Sequence, residues 1–306
     1  MKIAIIEPLG VAQSVLKKKI IAAIGNKHET VFYDDRLEDD ASLVARCCDA
    51  EIVVLSNIPF RTNVLRQCPK LQKICVAFTG IDHIDTEYCA VHHIEIKNCA
   101  GYSTVAVADT VFGLLLSIAR NLPACDGACR AGETKNGLIG FELAGKKFGI
   151  IGFGNIGKRV AAIAQAFGCQ VFAYTRHPQA CEGVSFVDMP VLLQTCDIVS
   201  LHVPFNSQTK AMIGKKEIAM MKKTAILINT ARGGVVDTAA LVEALQQNKI
   251  AAAGIDVFDT EPPLDTEMPL LKLKNVALTP HIGFATWQAF EKRADIIAAN
   301  LAGWCR

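Results

Sequence analysis

The segment FGIIGFGNIG, Phe148 to Gly157, joins a short apolar run to three closely spaced glycines. It places Gly152, Gly154 and Gly157 at G-x-G-x-x-G spacing, directly after an apolar run and before a helix-forming stretch, Lys158 to Phe167. The first glycine permits a tight turn from strand to helix, the second lets the backbone approach a pyrophosphate, and the third allows close packing of the helix. Because a strand and a helix flank the motif, it predicts a dinucleotide-binding site rather than an isolated glycine-rich turn.

The residues after the next predicted strand bear on the choice of dinucleotide. That strand, Gln170 to Tyr174, is followed by Thr175, Arg176 and His177. A carboxylate about 20 residues beyond the glycines normally accepts both ribose hydroxyls of NAD. An arginine beside a hydroxyl can instead bind a 2′-phosphate with its planar, charged fork. The sequence therefore favours NADP over NAD; the alternative is that Arg176 is a solvated surface residue and NAD binds without the usual carboxylate.

The length and composition indicate a large globular chain of more than one domain. Its 306 residues exceed the usual size of a single domain, and its 51% of hydrophobic residues can form a large core. A formal net charge of +2, with scattered Lys and Arg, gives no electrostatic reason to expect nucleic acid as a partner. The apolar run before Glu7 and Pro8 is too short for a signal peptide or a membrane span, so a cytoplasmic protein without a membrane partner is expected.

The twelve cysteines are expected to be free thiols. Disulfides are rare in a reducing compartment, and free cysteine packs as a small hydrophobe. The close pairs Cys47 with Cys48 and Cys125 with Cys129 lack the paired C-x-x-C spacing of a zinc site. No metal site is therefore predicted.

Short apolar runs alternate with helical patterns along the chain. Runs that are apolar on both faces indicate parallel strands covered by helices. The predicted strands of this kind are Ile3–Ile6, Ile52–Leu55, Ile74–Ala77, Phe148–Ile151, Val171–Tyr174, Ile198–Leu201, Ala225–Asn229, Ala252–Val257 and Val276–Leu278. They predict an α/β fold of two doubly wound parallel-sheet domains that share a cleft.

Two long helical segments set the predicted domain boundaries. The segment Ser103–Arg120 precedes a glycine-containing stretch and the fingerprint, and it is expected to cross between the domains. The segment Ala285–Trp304 is expected to return to the first domain. The prediction is a first domain of residues 1–98 and 285–306 and a nucleotide-binding domain of residues 99–284.

Three polar residues follow successive predicted strands, where open α/β sheets bind ligands. They are Arg232 in TARGG, Glu261 in DVFDTEPP and His281 in TPHIG. Arginine can bind a carboxylate with two N–H groups, and an imidazole that faces a carboxylate can hand a proton to a carbonyl oxygen near neutral pH. The alternatives are a surface salt bridge for Arg232 and a structural role for His281. The grouping of the three residues favours a catalytic interpretation.

In that order after GFGNIG, the three motifs resemble those of the D-isomer-specific 2-hydroxyacid dehydrogenase family, and the resemblance spans essentially the whole chain. AFTGIDHID (Ala77–Asp85) resembles the family's substrate-carboxylate loop, NCAGYSTVAVAD (Asn98–Asp109) its first interdomain hinge, and SLHVPFNSQT (Ser200–Thr209) the loop beside the nicotinamide. The resemblance implies a Rossmann nucleotide domain, a flavodoxin-like substrate domain split between both chain ends, a cleft that closes and a homodimer.

The resemblance also implies a role for each site residue. Arg232 would bind the substrate carboxylate, His281 would donate the proton, and Glu261 would pair with His281. The backbone N–H groups of Thr79 and Gly80 would hold the carboxylate from the other domain. Hydride transfer from the nicotinamide to the 2-oxo carbon would then give the D-2-hydroxy acid.

Contacts to the dinucleotide are implied for a larger set of residues. Asp256 would orient the nicotinamide amide, and Thr175 stands where the family commonly has a carboxylate, which puts NAD in doubt. The whole set is Gly152, Gly154, Asn155, Ile156, Gly157, Thr175, Arg176, Val203, Pro204, Thr209, Thr230, Ala231, Arg232, Asp256, His281 and Gly283.

The hinge sequence GYST resembles that of glycerate dehydrogenases, which favours glyoxylate or hydroxypyruvate over bulkier 2-oxo acids. Two alternatives stay open. A 3-phosphoglycerate dehydrogenase-like activity would need extra basic residues for the phosphate, and Arg61 is a candidate. A non-catalytic dinucleotide-sensing protein, like the corepressors that share this fold, would not need Arg232, Glu261 and His281 together.

Overall fold

The computed structural model describes residues 1–260 and 264–305, and the chain divides into two compact units. Unit 1 comprises Met1–Ser103 and Ala285–Arg306, and unit 2 comprises Thr104–Phe284. Each unit is an α/β structure built on a parallel sheet. The predicted fold class, with two parallel-sheet α/β domains, is confirmed.

The helices alternate with the strands in both units. They are α1 (Gln13–Ile24), α2 (Asp40–Cys47), α3 (Thr62–Leu65), α4 (Thr86–Val91), α5 (Thr104–Ala119), α6 (Leu122–Arg130), α7 (Asn155–Ala166), α8 (Met189–Thr195), α9 (Lys215–Met220), α10 (Thr238–Gln246) and α11 (Trp287–Trp304). Of these, α1 to α4 and α11 belong to unit 1.

Unit 1 contains a five-stranded sheet in the order β2-β1-β3-β4-β5, with every neighbouring pair parallel. The strands are β1 (Lys2–Ile5), β2 (Glu29–Phe32), β3 (Ile52–Leu55), β4 (Lys73–Val76) and β5 (Glu95–Asn98). The central strand β3 is buried along its whole length, as expected for a run that is apolar on both faces. The strand order is that of flavodoxin-like sheets, in which ligands bind beyond the carboxyl ends of the strands.

The C-terminal helix of unit 1 is fastened to its sheet by a buried arginine. Arg293, on α11, donates a hydrogen bond from Nη1 to the carbonyl oxygen of Ala77 at 3.1 Å, and another from Nη2 to that of Leu9. Its guanidinium carbon lies 4.9 Å from the centroid of the Phe290 ring. A buried charge needs such partners, and here they fix the backbone just beyond β4.

Unit 2 contains a seven-stranded parallel sheet in the order β12-β11-β10-β9-β6-β7-β8. The strands are β6 (Lys147–Ile151), β7 (Gln170–Tyr174), β8 (Val184–Phe186), β9 (Ile198–Leu201), β10 (Ile226–Asn229), β11 (Ala252–Ile255) and β12 (Val276–Leu278). The chain runs outward from β6 through β7 to β8 and then returns to β9 on the other side of β6. This reversal of direction is the topological switch point beside which open α/β sheets bind ligands.

Both faces of the unit 2 sheet are covered by apolar side chains. Successive strand residues belong to different core clusters: Ile150 belongs to the cluster that includes α5 and α7, and Ile151 to the cluster that includes α8 and α10. This alternation follows from the period of two along a strand. The sheet is therefore rigidly held, and its loops extend from a fixed edge.

The sequence patterns missed three strands and one helix. The strands β2, β5 and β8 all lie at sheet edges, and none contains a fully buried residue. They lack the continuous apolar run that identifies a central strand. Helix α6, which lies in the stretch read only as glycine-containing, has no buried residue and so shows no apolar face. The fingerprint helix also begins at Asn155, three residues earlier than the predicted Lys158.

No single helix of the described chain is long and apolar enough to span a membrane. One pair, α5 with α6, meets the length and composition criterion only when the two helices are joined across a bend of 60°. Eight residues of α5 are buried, and six of them belong to a core cluster of unit 2. All twelve cysteines are free thiols, and seven of them are buried.

Candidate active site

The candidate site residues of unit 2 lie at the carboxyl edge of its sheet. Each of those that the structure describes follows the end of β6, β7, β9, β10, β11 or β12. Parallel strands all present their carboxyl ends at one edge, so the sheet brings together residues that are far apart in sequence.

The fingerprint glycines are required by the backbone that surrounds them. Gly152 has a φ of 96°, and a Cβ atom at this position would collide with the carbonyl oxygen of His202. A Cβ at Gly157 would collide with the carbonyl oxygen of Gly152. At Gly154, by contrast, a Cβ would meet no atom within 4 Å. Gly152 and Gly157 are thus required for the tight turn, whereas Gly154 borders open space.

That open space lies at the N-terminus of α7. Gly154 is the N-cap, Asn155 is exposed and Ile156 is half-buried. The N–H groups of a helix's first turn have no acceptor inside the helix, and they attract anions. The turn therefore leaves room for the pyrophosphate of a dinucleotide at a helix N-terminus.

The end of β7 presents a basic residue. Thr175 is half-buried and Arg176 is exposed. Nη1 of Arg176 donates a hydrogen bond to Oε1 of Gln208 at 3.0 Å. Gln208 lies in the loop that follows β9, on the other side of β6 in the sheet order.

The loop after β9 is closed by a threonine. Oγ1 of Thr209 donates to the carbonyl oxygen of Pro204 at 2.6 Å and accepts from the N–H of Asn206 at 2.9 Å. Val203 is half-buried and packs against the unit 2 core, whereas Pro204 is exposed. The hydroxyl of Thr209 therefore braces the loop itself.

His202, at the start of this loop, has a strongly shifted pKa. Burial lowers the pKa of its imidazole to about 3, because desolvation disfavours the charged form. Its Nε2 lies 2.9 Å from Oγ of Ser200, which is fully buried on β9. The His202 ring is therefore neutral at physiological pH.

The loop that carries Arg232 is held by a buried asparagine at the end of β10. Oδ1 of Asn229 accepts from the N–H of Ala231 at 3.0 Å, and its Nδ2 donates to the carbonyl oxygen of Arg232 at 2.9 Å. The hydroxyl of Thr230 is buried and has no hydrogen-bond partner within residues 1–260 and 264–305. A Cβ at Gly233 would collide with the backbone of Phe258, so glycine is required for the close approach of the next loop.

The loop that carries His281 is anchored by Asp256, which is buried at the end of β11. Oδ1 of Asp256 accepts from Oγ1 of Thr279 at 2.6 Å and from the N–H of Ile282 at 2.9 Å. Its Oδ2 accepts from the N–H of Gly283 at 2.9 Å. The carboxylate therefore holds the whole TPHIG turn, a role that the sequence did not indicate.

His281 has a strained backbone conformation. Its φ is 53°, in the left-handed region, and its N–H donates to the carbonyl oxygen of Asp256 at 2.7 Å. Such a conformation costs about 1 kcal/mol or more in a residue with a side chain, so the surrounding contacts must impose it. The half-buried ring lies edge-on to Phe284, with 5.6 Å between the ring centroids.

Two further predicted site residues, Thr79 and Gly80, belong to unit 1 and not to this sheet edge. Glu261 lies outside the described residues. Thr79 and Gly80 follow β4 in unit 1, and among the described residues neither N–H donates a hydrogen bond. Nδ2 of Asn98 donates to the carbonyl oxygen of Thr79 at 2.7 Å and so fixes the loop. The sequence did not predict that Asn98 and Asn229 support these loops; it showed only that each lies at the end of a strand.

The residues at the unit 2 edge fit a nicotinamide dinucleotide. The glycine turn leaves room at a helix N-terminus, and the buried hydroxyl of Thr230 requires a hydrogen-bond partner. Nowhere in the described part of the chain do three His, Cys, Asp or Glu side chains form a group that could hold a metal ion.

Comparison with known proteins decides the family. The family model described as "D-isomer specific 2-hydroxyacid dehydrogenase, NAD binding domain" matches residues 112–283, more than half of the chain. The chain belongs to this family. A glyoxylate reductase from Thermococcus litoralis is 44% identical over 256 residues, which are 80% of this chain and 77% of that protein.

A hydroxypyruvate reductase from Thermotoga maritima is 38% identical to this family member over 284 residues, which cover 92% of each protein. Among solved structures, an acyclic imino acid reductase in complex with NADPH and D-Arg has a TM-score of 0.89 and 30% identity, and the match covers 99% of this chain and 97% of that chain. This D-2-hydroxyacid dehydrogenase is therefore an NAD(P)-dependent oxidoreductase, and the family and enzyme class predicted from the sequence are confirmed.

Proposed function

We propose that this D-2-hydroxyacid dehydrogenase reduces a small 2-oxo acid, of the glyoxylate or hydroxypyruvate type, to the D-2-hydroxy acid. The observation that carries the proposal is the bracing of two loops at one sheet edge, where Asn229 holds the Arg232 loop and Asp256 holds the His281 loop. Rigid support of this kind is what a catalytic pair requires. The names of the Thermococcus and Thermotoga relatives support the substrate class.

In the proposed reaction the two side chains have different tasks. The guanidinium of Arg232 binds the substrate carboxylate and draws electron density from the 2-oxo group. The imidazolium of His281 donates its proton to the carbonyl oxygen as the alkoxide develops. The nicotinamide cofactor supplies the hydride when it is bound. Arg232 and His281 thus offset the charge that appears on the oxygen.

His281 is preferred over His202 as the proton donor. The pKa of His202 is about 3, so its ring carries no second proton at neutral pH. Nε2 of His202 is also within hydrogen-bond distance of Oγ of the buried Ser200. We assign His202 to the support of the loop beside the cofactor. His281 lies on the loop after β12 and, like His202, is half-buried.

The remaining substrate contacts rest on the family resemblance. We assign the N–H groups of Thr79 and Gly80 to the substrate carboxylate, and Glu261 to the imidazole of His281. A carboxylate next to an imidazole favours its protonated form. Glu261→Gln should therefore move the upper pH limit of reduction to lower pH, and an unchanged pH profile would remove Glu261 from this role.

The proposed cofactor is NADP rather than NAD. An exposed Arg176 beside Thr175 supports this, as does the absence from the sequence of an acidic residue at the end of β7. The NADPH bound to the imino acid reductase agrees with it. The proposed dinucleotide contacts are the set given above, with the nucleotide domain at residues 99–284 and the substrate domain at residues 1–98 and 285–306.

We also propose that the protein is a homodimer and lies in the cytoplasm. The dimer rests on the family resemblance, and light scattering would show it as twice the 33.0 kDa of one chain. Twelve free thiols suit a reducing compartment.

The activity can be tested with a panel of 2-oxo acids. Rates of NADPH oxidation and of NADH oxidation are measured with glyoxylate, hydroxypyruvate, pyruvate, 3-phosphohydroxypyruvate and a bulky branched 2-oxo acid. The proposal predicts the highest kcat/KM for glyoxylate or hydroxypyruvate. A preference for 3-phosphohydroxypyruvate would favour the 3-phosphoglycerate dehydrogenase alternative, in which Arg61 meets the phosphate.

Variants of the two proposed catalytic residues separate binding from chemistry. His281→Ala should lower kcat by about 10²-fold to 10⁴-fold and leave dinucleotide affinity nearly unchanged. Arg232→Lys keeps the charge but loses the fork, so it should raise KM for the 2-oxo acid and lower kcat. Near-normal turnover in either variant contradicts the mechanism.

A further inference from the structure

We propose that Gln208 is a specificity-determining residue, which holds Arg176 in place to receive the 2′-phosphate of NADP. The inference deepens the proposed function and rests on its cofactor assignment. It starts from one contact, the hydrogen bond of 3.0 Å from Nη1 of Arg176 to Oε1 of Gln208. The two residues lie 32 positions apart in the sequence and in different loops.

The position of this contact follows from the sheet order. In unit 2, β6 lies between β9 and β7. Arg176 follows β7 and Gln208 lies in the loop after β9, so their contact joins the loops on both sides of the glycine turn that follows β6. A dinucleotide whose pyrophosphate lies at that turn would have its adenosine ribose near the end of β7.

The backbone that carries the exposed side chain of Gln208 is held in a braced turn. Oδ1 of Asn206 accepts from the N–H of Gln208 at 2.9 Å and from the N–H of Thr209 at 3.2 Å. The hydroxyl of Thr209 in turn donates to the carbonyl oxygen of Pro204 at 2.6 Å. The exposed Arg176 would otherwise lose side-chain entropy when it binds a phosphate. Its contact with a glutamine on a braced turn offsets part of that cost before the ligand binds.

The neutrality of Gln208 matters as much as its position. An amide oxygen accepts one hydrogen bond from Arg176 and leaves the other guanidinium N–H groups and the full positive charge available. Across residues 1–260 and 264–305, Arg176 forms no ion pair within 4.0 Å. A glutamate at position 208 would have the same shape but would neutralise Arg176 and repel a 2′-phosphate.

The test uses two nucleotide fragments that differ only in the 2′-phosphate. Calorimetry measures the Kd of 2′,5′-ADP and of 5′-AMP for the full-length wild type and for Gln208→Glu, Gln208→Met and Arg176→Met. The wild type should bind 2′,5′-ADP more tightly. Gln208→Glu should weaken 2′,5′-ADP binding by about 10-fold to 100-fold relative to 5′-AMP, because it adds a charge next to the phosphate. Gln208→Met should weaken it by about 3-fold to 10-fold, because it removes only the hydrogen bond.

A matched control separates this local effect from added negative charge in general. Gln288→Glu places the same charge on an exposed position of α11 in unit 1, and it should leave both Kd values as in the wild type. An unchanged Tm for each variant shows that the fold is intact. If Gln208→Glu binds 2′,5′-ADP as tightly as the wild type does, Gln208 does not determine specificity.

Failure of this inference can be distinguished from failure of the proposed function. If the wild type binds 2′,5′-ADP no better than 5′-AMP but still reduces glyoxylate with NADH, the roles of Arg176 and Gln208 are overturned and the reductase activity stands. If the fragments behave as predicted but no 2-oxo acid of the panel is reduced, the nucleotide inference stands and the proposed substrate class fails.

Discussion

Asp256 illustrates, at the scale of single residues, how a buried charge can position another residue. Both of its carboxylate oxygens accept hydrogen bonds from the turn that carries His281. This turn holds His281 at a positive φ, a conformation that an isolated histidine avoids. The cost of the strained backbone is therefore offset by the bonds to one aspartate.

Asp256→Asn tests this positioning role. It replaces one acceptor oxygen with an NH₂ group that faces backbone N–H donors, so the unfolding free energy should fall by about 1 to 3 kcal/mol. The kcat should also fall, because the turn that carries His281 is no longer held. Denaturant unfolding and steady-state rates measure the two effects. The matched control is Asp237→Asn at the N-cap of α10, which should be nearly neutral because asparagine caps helices as well as aspartate does. Equal stability of the two variants would contradict the anchoring role.

Because the ring of His202 is neutral in the folded chain, the free energy of unfolding should depend on pH. Its pKa is about 3 in the folded chain and about 6.5 when unfolded, so the unfolded state binds the extra proton first. Its contribution to stability is complete above the unfolded pKa and is lost as the pH falls towards the folded pKa. Between pH 7 and pH 5 the wild type should lose about 1 to 2 kcal/mol more unfolding free energy than His202→Gln. Parallel losses in urea titrations of both proteins would show that the ring is not held neutral.

Among the secondary-structure elements, the turn between β6 and α7 contains glycines with different expected roles: Gly157 in stability and Gly154 in dinucleotide binding. Gly157→Ala places a Cβ against the carbonyl oxygen of Gly152, whereas Gly154→Ala points into open space. Gly157→Ala should therefore lower the unfolding free energy by about 1 to 3 kcal/mol. Gly154→Ala should keep the wild-type Tm but lose dinucleotide affinity, because the methyl group occupies the space proposed for the pyrophosphate. Similar Tm values for both variants would contradict this division of roles.

Most of the strands predicted from the sequence are central strands of the two sheets; the edge strand β12 was also predicted, because its residues Val276–Leu278 are all apolar. Central strands such as β3 and β9 are buried on both faces and gave continuous apolar runs. The edge strands β2 and β8 did not, because solvent on one side permits polar residues there. Helix α6 was missed for the same reason, since none of its residues is buried.

The loops of the site were predictable only in part. Arg232 and His281 could be identified because their motifs follow strands and resemble a known family. The supports could not, because Asn229 and Asp256 act through hydrogen bonds to backbone groups of neighbouring loops. The contact between Arg176 and Gln208 likewise depends on which strands are neighbours in the sheet, which short sequence patterns do not specify.

In the whole molecule, both units place their proposed ligand-binding residues at the carboxyl edge of a parallel sheet. Both units are parallel α/β sheets, and in each the proposed ligand-binding residues follow the carboxyl ends of strands: Thr79 after β4 in unit 1, and Gly152, Arg232 and His281 after β6, β10 and β12 in unit 2. This arrangement explains how residues about 130 positions apart, such as Gly152 and His281, come to one edge of a sheet.

The proposed role of His281 in reduction is tested by the initial rates of NADPH and NADH oxidation by the wild type and by His281→Ala, with glyoxylate and hydroxypyruvate as substrates. Reduction of at least one of these acids by the wild type, with a loss of about 10²-fold or more in His281→Ala, is the predicted result. Analysis of the product on a chiral column should show the D-isomer when hydroxypyruvate is the substrate. Equal rates in the two proteins, or an L-product, would contradict the proposed mechanism.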